Sequence, residues 1–498
     1  MADVVLIITS IVFAILVIIA AVYFIVYFQH PDDKWTAWFP KIVVLLGLTL
    51  AAYNIFLLPL DVANQNGQLE SRGKIPMAQI NLAFYIATIV ICLVGVPFTV
   101  FFYEGTDEGD GDDKRSSAQA LAYAIKWIIP ILIFTAAVIG VLYWFVGYAT
   151  IGATRITGQF LNDTLLTTDY CAPVTGGAAT PCTLARGTVN VSVSPLVYIV
   201  AIVSFAGWIC FAVFGGVGLI ALPIDLVQDF MHRPRPIKAQ EYAERKKVIG
   251  SQAQLLMEAG TTLHTQLREA SRSNNFGKRY RTIKRRENEF RKDVLILEYH
   301  YRRLEDAYRN QGGNFLWQLV KMILGIIGGV LSLFWIIHIA IYLIPSALHV
   351  SPLSPFLNDF FIAVNKVPFL GTAFYALFAF YLLACVVKGT AKLGMRLVFV
   401  TLHPMRIGET MMSSLVFNMG VILLCSLSVA QFCTLSFVKF AKYTANESIF
   451  GVQIQNLKGI QYGYDAFIFA ILGFALITCV ANVYTPRNKQ RENKLVNW

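Results

Sequence analysis

Three polar side chains stand inside long apolar stretches of the sequence and are the first candidates for chemistry. His338 lies within Trp335-Ile-Ile-His-Ile-Ala340 and is the most deeply placed ionisable group, so it could relay protons or bind a ligand. A histidine in such a stretch more often donates a hydrogen bond between helices, which is the interpretation we favour. Polar groups are costly in lipid, so His338, Asn54 and Asn418 become functional candidates if these stretches cross a membrane.

Two aspartates follow apolar stretches rather than interrupt them. Asp61 comes directly after Leu57-Leu-Pro-Leu60, and Asp225 comes after Leu222-Pro-Ile224. Both are predicted to lie at a membrane boundary, where an aspartate costs little.

The short motifs of common catalytic and cofactor sites are missing from the sequence. It contains no Walker loop, no GxSxG, no HExxH and no catalytic-triad spacing. It also has no CxxC and no Cys/His cluster with the spacing of metal ligands. The acidic loop Glu104–Arg115 lacks the ligand spacing of an EF-hand and is predicted to be a solvated loop. We therefore expect no enzymatic activity, no cofactor and no metal.

The composition indicates which solvent surrounds the chain. Of its 498 residues, 56% are hydrophobic and only 14% are charged, whereas soluble domains have roughly 25% charged residues. The apolar stretches are about 20 residues long or more, the length that a helix needs to cross a bilayer. Short alternating stretches typical of barrel strands are not seen. The lipid bilayer is therefore the first predicted partner of this chain.

The order of the apolar stretches predicts an all-α polytopic membrane protein with about nine transmembrane helices. A cytosolic coiled-coil helical hairpin is predicted between the fifth and sixth spans. Leu393–Leu402 is too short to span and is predicted to be an interfacial or re-entrant helix. The predicted regions are a five-helix membrane region at 1–222 with a non-cytosolic loop at 149–195, the hairpin at 223–315, a four-helix membrane region at 316–484, and a basic tail at 485–498.

Three signals agree on a non-cytosolic N-terminus and a cytosolic C-terminus. Lys and Arg concentrate in the segments that this orientation places in the cytosol, as the positive-inside rule requires. The sequons at Asn162, Asn190 and Asn446 fall on the opposite side, as glycosylation candidates should. Cys171 and Cys182 lie on that same oxidising side and are free to pair as a disulfide.

Within 223–315 the apolar residues recur every seven positions, which is the spacing of a coiled-coil seam. The two runs of this seam are Tyr242, Ile249, Leu256 and Leu263, and then Ile283, Phe290, Leu297 and Leu304. A companion series contains Tyr280, Val294, Tyr301 and Tyr308. Residues 271–277 between the runs are typical of a turn. These seams must bury against each other or against a partner.

Basic residues from Lys278 to Arg286 lie at the predicted tip of the hairpin. A solvated helix face is the simpler interpretation, and docking on anionic cytoplasmic lipid or on an acidic partner is the sharper one. The position at the tip favours a protein partner over lipid. The motifs of nucleic-acid-binding domains are absent from the sequence, so no nucleic-acid partner is expected. The glycine clusters Phe214-Gly-Gly-Val-Gly218 and Gly325-Ile-Ile-Gly-Gly329 are predicted to let helices pack closely.

Several longer motifs resemble one family of membrane proteins. They are Gln29-His-Pro-Asp-Asp33, Leu58-Pro-Leu-Asp-Val-Ala-Asn64, Pro97-Phe-Thr-Val-Phe-Phe-Tyr-Glu-Gly105, Ser351-Pro-Leu-Ser-Pro-Phe-Leu-Asn358 and Val398-Phe-Val-Thr-Leu-His-Pro-Met405. The chain resembles the limb-region-protein-like, lipocalin-interacting membrane receptor (LIMR) family, and most of all its plant-type branch. The resemblance implies nine spans with a central cytosolic coiled coil, and no catalytic residues.

The resemblance leaves several activities open. We favour a membrane receptor or transport accessory protein, because a long glycosylatable loop lies outside and an uncovered coiled coil lies inside. A lipocalin-like carrier or small molecule is then the expected ligand, and a cytosolic protein is the expected partner at the coiled coil. Transport of a small solute or cofactor, cobalamin-like, through the helix bundle is one alternative. A scaffold or signalling regulator of the endomembrane system is another. The compartment also stays open between plasma membrane, endoplasmic reticulum and lysosome.

Overall fold

The structure is a computed structural model that describes most of the chain. The described residues are 2–35, 37–66, 75–107, 117–157, 183–231, 236–272, 278–309, 315–367, 369–393, 395–397, 400–402, 405, 408 and 410–484. Within them, nine helical segments are long and apolar enough to cross a membrane. The prediction of an all-α polytopic membrane protein is confirmed.

The spans follow the apolar stretches of the sequence because a helix satisfies its own backbone hydrogen bonds in lipid. The first five are α1 (Ala2–Phe28), α2 (Trp38–Asn66), α3 (Met77–Val90) continued by a π turn (Ile91–Gly95) and α4 (Val96–Asp107), α5 (Ser117–Val146), and α6 (Pro195–Met231). Two polar helices follow, α7 (Ala239–Arg272) and α8 (Lys278–Arg309).

The remaining spans lie after this polar pair. They are α9 (Phe315–His338) continued by a π turn (Ile339–Leu343) and α10 (Ile344–Ala347), then α12 (Leu370–Leu393), α13 (Met412–Ser436) and α14 (Gln461–Tyr484). The short helix α11 (Phe356–Val364) precedes α12, and a π-helical segment (Glu447–Ile454) precedes α14.

Two short antiparallel hairpins interrupt the helical order. Strands β1 (Tyr148–Thr157) and β2 (Thr183–Ser192) pair from Tyr148↔Ser192 to Thr157↔Thr183. Strands β3 (Met395–Leu397) and β4 (Val400–Leu402) pair with Met395 opposite Leu402. The helix predicted at Leu393–Leu402 is therefore wrong. Val400 and Thr401 are β-branched and favour extended backbone, and the stretch was too short for its apolar character to define a helix.

The described chain divides into two compact units. The first contains Met1–Ala221 and Leu333–Ala475, and the second contains Leu222–Ser332 and Leu476–Trp498. Helix α13 is the centre of the first unit, because it is buried along almost its whole length and packs on α2, α4 and α12. Helices α1 and α5 are mostly exposed, as lipid-facing helices should be.

Glycines bring α6 and α12 of the first unit into backbone contact. A Cβ atom placed on Gly218 would lie 1.8 Å from the carbonyl oxygen of Cys385. A Cβ atom on Gly389 would lie 2.0 Å from the carbonyl oxygen of Phe214. Only glycine allows this approach, so the packing role predicted for the Phe214–Gly218 cluster is confirmed.

In the second unit, α7 and α8 form an antiparallel helical hairpin. The rings of Tyr242 and Tyr308 stack at 4.2 Å at the base of the hairpin, and Gly260 lies against Phe290 farther along. Helix α7 ends and α8 begins on either side of the predicted turn, whose residues 273–277 lie outside the described part. The hairpin is therefore present, and a coiled-coil supercoil stays a prediction.

The buried face of this hairpin only partly follows the predicted seam. Four seam leucines are 5–8% exposed, namely Leu256, Leu263, Leu297 and Leu304. Three other seam residues are half-buried, namely Tyr242, Ile249 and Phe290, while the side chain of Ile283 lies outside the described part. The companion residues whose side chains are described are not buried, since Val294, Tyr301 and Tyr308 are 37–39% exposed. Asp293 and Ala307 occupy the buried flank of α8 instead.

Candidate functional site

Asn54 joins three helices inside the first unit. Its Nδ2 donates to Thr88 Oγ1 of α3 at 2.9 Å and to Ser426 Oγ of α13 at 2.8 Å. Asn54, Thr88 and Ser426 are all fully buried. In an apolar surrounding each of these polar groups needs a partner, and each finds one on another helix. This arrangement specifies how α2, α3 and α13 pack.

His338 lies in a second polar contact, within a cage of aromatic rings. Its Nε2 is 3.0 Å from the carbonyl oxygen of Ser436. Because a carbonyl only accepts, this nitrogen carries the hydrogen and donates it. Tyr342 and Phe437 stack on the imidazole with centroids 5.0 and 5.3 Å away. The same carbonyl accepts from Asn358 Nδ2 at 3.0 Å. His338 thus connects α9 with the end of α13.

Asn418 makes a local contact, donating from Nδ2 to the carbonyl oxygen of Ser414 on its own helix at 2.9 Å. The three candidates Asn54, His338 and Asn418 thus have different partners and do not form one site. Gln431, another polar residue of α13, accepts from Ser204 Oγ at 2.7 Å and Trp208 Nε1 at 2.9 Å. Gln431 thus connects α13 with α6, whereas the contact of Asn418 stays within α13.

Asp61 is a buried acidic group of the first unit, and its position at a membrane boundary stays a prediction. It is 1% exposed. Its Oδ2 accepts from the backbone N–H of Asn446 at 2.8 Å and from Asn81 Nδ2 at 3.2 Å. Tyr85 donates its hydroxyl to Asn446 Oδ1 in a short hydrogen bond. Asp61 is therefore enclosed by neutral donors from distant parts of the chain rather than by water.

The sequence reasoning missed Asn81 and Tyr85, although a signal was present. Asn81, Tyr85 and Thr88 are all fully buried and recur at intervals of four and three residues on α3. That spacing places them on one helix face. A polar stripe along one face of an otherwise apolar span predicts a face turned towards protein rather than lipid.

The glycosylation candidates have different outcomes. Asn446 is 2% exposed and its amide oxygen is held by Tyr85, so the prediction of a glycan at this position is wrong for the folded protein. Asn190 lies exposed on β2, where it accepts a hydrogen bond from Thr150. Asn162, Cys171 and Cys182 lie outside the described residues.

The loop predicted at 149–195 contains β1 and β2, which the sequence reasoning did not anticipate. Strand β1 is fixed to the segment after the π helix, because Thr150 N donates to the Asn456 carbonyl at 2.9 Å and Lys458 N donates to the Tyr148 carbonyl at 3.2 Å. The alternation Thr188-Val-Asn-Val-Ser-Val193 was the available signal for a strand.

An apolar cleft of about 430 Å³ opens among the spans of the first unit. Four helical segments line it, one each from the π turn region of the third span, α5, α6 and α13. The lining residues are Cys92, Leu93, Val96, Phe134, Thr135, Val138, Ile139, Leu142, Ile202, Val203, Ala206, Phe417, Gly420, Val421 and Leu424. None of them is charged, and the volume lies within the range of about 300–1,000 Å³ typical of small-molecule sites.

Comparison with known proteins shows to which protein family this chain belongs. The family model described as LMBR1-like membrane protein matches residues 5–292 and 266–485, which is most of the chain. The chain belongs to the LMBR1-like membrane protein family. The resemblance seen in the sequence motifs is thereby confirmed, including the likeness to plant members.

Relatives carrying the LIMR family name cover this LMBR1-like chain almost completely. A LIMR family protein of Dictyostelium discoideum is 38% identical over 98% of this chain and 99% of its own length. One from Arabidopsis thaliana is 36% identical over 96% of this chain and 95% of its own. One from Oryza sativa is 34% identical over the same shares. No solved structure matches this chain.

Proposed function

We propose that this LMBR1-like protein is a membrane receptor or transport accessory protein for an apolar ligand, with a hairpin that recruits a cytosolic protein. The observation that carries the proposal is the apolar cleft among the third span, α5, α6 and α13. The proposal includes no catalytic reaction. The spans themselves make it an integral multi-pass membrane protein.

The position and chemistry of the cleft favour an apolar chain as its occupant. Its lining residues lie well inside the spans, with Thr135 and Cys92 as the polar members of the lining. A water molecule is poorly stabilised in such a space, because it needs two to four polar groups as hydrogen-bond partners. An acyl or isoprenoid-like chain is stabilised there instead, because burying its apolar surface contributes a free energy of roughly 25 cal/mol for each Å².

Solute transport through the bundle receives less support. That alternative predicts a polar-lined cavity near His338. The imidazole of His338 instead packs between Tyr342 and Phe437, and its Nε2 donates a hydrogen bond to the carbonyl oxygen of Ser436. The geometry around this residue supports a packing role.

The ligand proposal is tested by mapping where a photoactivatable fatty acid attaches to the full-length protein in nanodiscs. We expect cross-links on peptides that contain residues 134–142 and 417–424. Val138→Trp fills the cleft from α5 and should reduce these cross-links several-fold. Val141→Trp is the matched control, because Val141 is 58% exposed on the same helix and does not line the cleft. Uniform labelling of all lipid-facing helices, unchanged in Val138→Trp, would contradict the proposal.

The recruitment proposal rests on the hairpin and on the predicted cytosolic position of 223–315. The stacked rings of Tyr242 and Tyr308 place the two ends of the hairpin side by side. A short Gly/Ser linker can therefore replace residues 243–307 without stretching the chain that remains. Proximity labelling with the deleted protein should lose cytosolic partners that the full chain retains. An unchanged set of partners, with normal membrane insertion, would contradict recruitment by the hairpin.

A further inference from the structure

Two buried oxygen atoms of hydrogen-bonded side chains in the Asp61 network have no hydrogen-bond partner among the described residues, and neither has the amide nitrogen of the adjoining Asn446. The oxygen atoms are Asp61 Oδ1 and Asn81 Oδ1. Asp61 is 1% exposed and Asn81 is fully buried, so bulk water does not reach either side chain. An unpaired buried acceptor costs about 1–3 kcal/mol, so two on contacting side chains require a physical explanation.

A single proton on Asp61 would satisfy both atoms. Asn81 Nδ2 already donates to Asp61 Oδ2 at 3.2 Å, which orients the amide towards the carboxyl group. A protonated Oδ1 would then donate to Asn81 Oδ1 and complete a reciprocal acid–amide pair. We propose that Asp61 is a proton-binding site of the helix bundle and that this conformation holds it as the neutral acid.

The surroundings of Asp61 favour this assignment. The hydrogen-bonding groups around it are all neutral, namely the side-chain amides of Asn81 and Asn446 and the backbone N–H groups of Ala445 and Asn446, and no Lys or Arg forms an ion pair with it among the described residues. An ionised carboxylate buried without a cation is far more costly than the neutral acid. A buried carboxyl group in such a position therefore retains a proton.

The titratable groups on neighbouring elements do not supply a counter-charge. Tyr85 on α3 and Tyr375 on α12 are fully buried phenols, which are neutral near pH 7. On the segment that carries Asn446, the charged side chains are the exposed Lys442 and the half-buried Glu447. These two side chains carry opposite charges, and Glu447 attracts Lys442.

Asp61 connects parts of the chain that are far apart in sequence, so the proton also controls a contact. Asn446 lies 385 residues from Asp61, and its backbone N–H donates to the carboxyl group at the junction before the π-helical segment. Loss of the proton leaves a buried charge facing Asn81 Oδ1, which repels it. Deprotonation is therefore expected to loosen α2 from α3 at this junction. Helix α2 ends at Asn66, so in the predicted orientation the proton exchanges with the non-cytosolic side.

Infrared spectroscopy of the full-length protein tests the protonation state directly. The wild-type protein at neutral pH should show the carbonyl stretch of a buried carboxylic acid, shifted in deuterated water. Asp61→Asn should lose this band, and Asp33→Asn, at another buried carboxyl group, should retain it. If the wild-type spectrum contains no such band at neutral pH, Asp61 is ionised and the proposal is overturned, whether or not the variants fold.

The pH dependence of stability gives a second readout. A neutral acid in the folded state binds more protons than the unfolded chain above the ordinary range of a carboxyl group, so stability must fall as pH rises. Asp61→Asn reproduces the donor and acceptor of the acid and should flatten this slope by about one proton. Parallel curves for the wild type and Asp61→Asn would overturn the proposal. A midpoint that follows sodium concentration and not pH would also overturn it, in favour of a cation site.

Discussion

The Oδ2 atom of Asp33 accepts a hydrogen bond from the backbone N–H of Met412 at 2.8 Å, at the residue where α13 begins. Tyr103 donates its hydroxyl to Oδ1 of the same carboxylate at 2.8 Å. Asp33 therefore satisfies one of the free N–H groups at the start of the central helix. The hydrogen bond between Tyr103 and Asp33 also joins two of the motifs by which the family resemblance was recognised.

Removing this cap should destabilise the first unit. Asp33→Ala leaves the Met412 N–H without its acceptor and is expected to cost about 1–2 kcal/mol, the usual value of a lost helix cap. Asp33→Asn keeps an acceptor oxygen and should cost clearly less. Thermal unfolding of the purified protein in detergent measures both. Equal losses for the two variants would show that the charge, and not the cap, matters.

The glycine contact between α6 and α12 should tolerate no side chain. Gly218→Ala places a methyl group on the Cys385 carbonyl, and overpacking of this type costs about 1–3 kcal/mol or more. Gly140→Ala is the matched control, because a Cβ atom at Gly140 meets no atom within 4 Å. We expect Gly218→Ala to lower the apparent melting temperature and Gly140→Ala to leave it unchanged. A similar effect of both substitutions would argue against close helix contact at Gly218.

Two adjacent leucines of α7 separate the buried face of the hairpin from its solvent face. Leu256 is 5% exposed and Leu255 is 55% exposed. Leu256→Ala should cost about 2–5 kcal/mol through lost burial and a cavity, whereas Leu255→Ala should have little effect. Hydrogen exchange of α7 and α8 in the full-length protein measures the difference. Faster exchange after Leu255→Ala than after Leu256→Ala would contradict the helix pairing described here.

The stability of the first unit should depend more on the amide group of Asn54 than on the volume of its side chain. Asn54→Leu removes the donor for Thr88 Oγ1 and Ser426 Oγ and should cost about 1–3 kcal/mol. The triple variant with Thr88→Val and Ser426→Ala replaces the polar partners as well. It should recover part of the loss, because no buried polar group then stays unpaired. Failure to recover any stability would indicate that packing volume dominates at this position.

The hairpin should weaken at mildly acidic pH. Partial burial on α8, together with the nearby Arg303 guanidinium, lowers the pKa of His300. The folded hairpin then binds fewer protons than the unfolded chain below the ordinary histidine pKa of about 6.5, so its stability falls as pH decreases through that range. His300→Gln should remove this dependence, measured by hydrogen exchange of α8 at several pH values. A slope that persists in His300→Gln would have to come from another group.

The spans could be predicted because each depends only on a local stretch of apolar residues long enough to cross lipid. The hairpin helices could be predicted for the same reason, since heptad spacing is local. The features that could not be predicted depend on contacts between residues far apart in the sequence. The burial of Asp61 requires Asn446, which lies 385 residues away, and the same contact explains why the Asn446 sequon is not accessible. The candidates Asn54 and His338 could be identified from the sequence as polar residues in apolar stretches. Their partners could not, because Thr88, Ser426 and Ser436 lie on other helices.

The most direct test of the account is native mass spectrometry of the full-length protein after extensive delipidation in detergent. We expect the wild type and Val141→Trp to retain one apolar molecule, and Val138→Trp, which fills the cleft, to lose it. Equal retention by all three proteins, or no retained molecule in the wild type, would contradict the claim that the cleft is a ligand site.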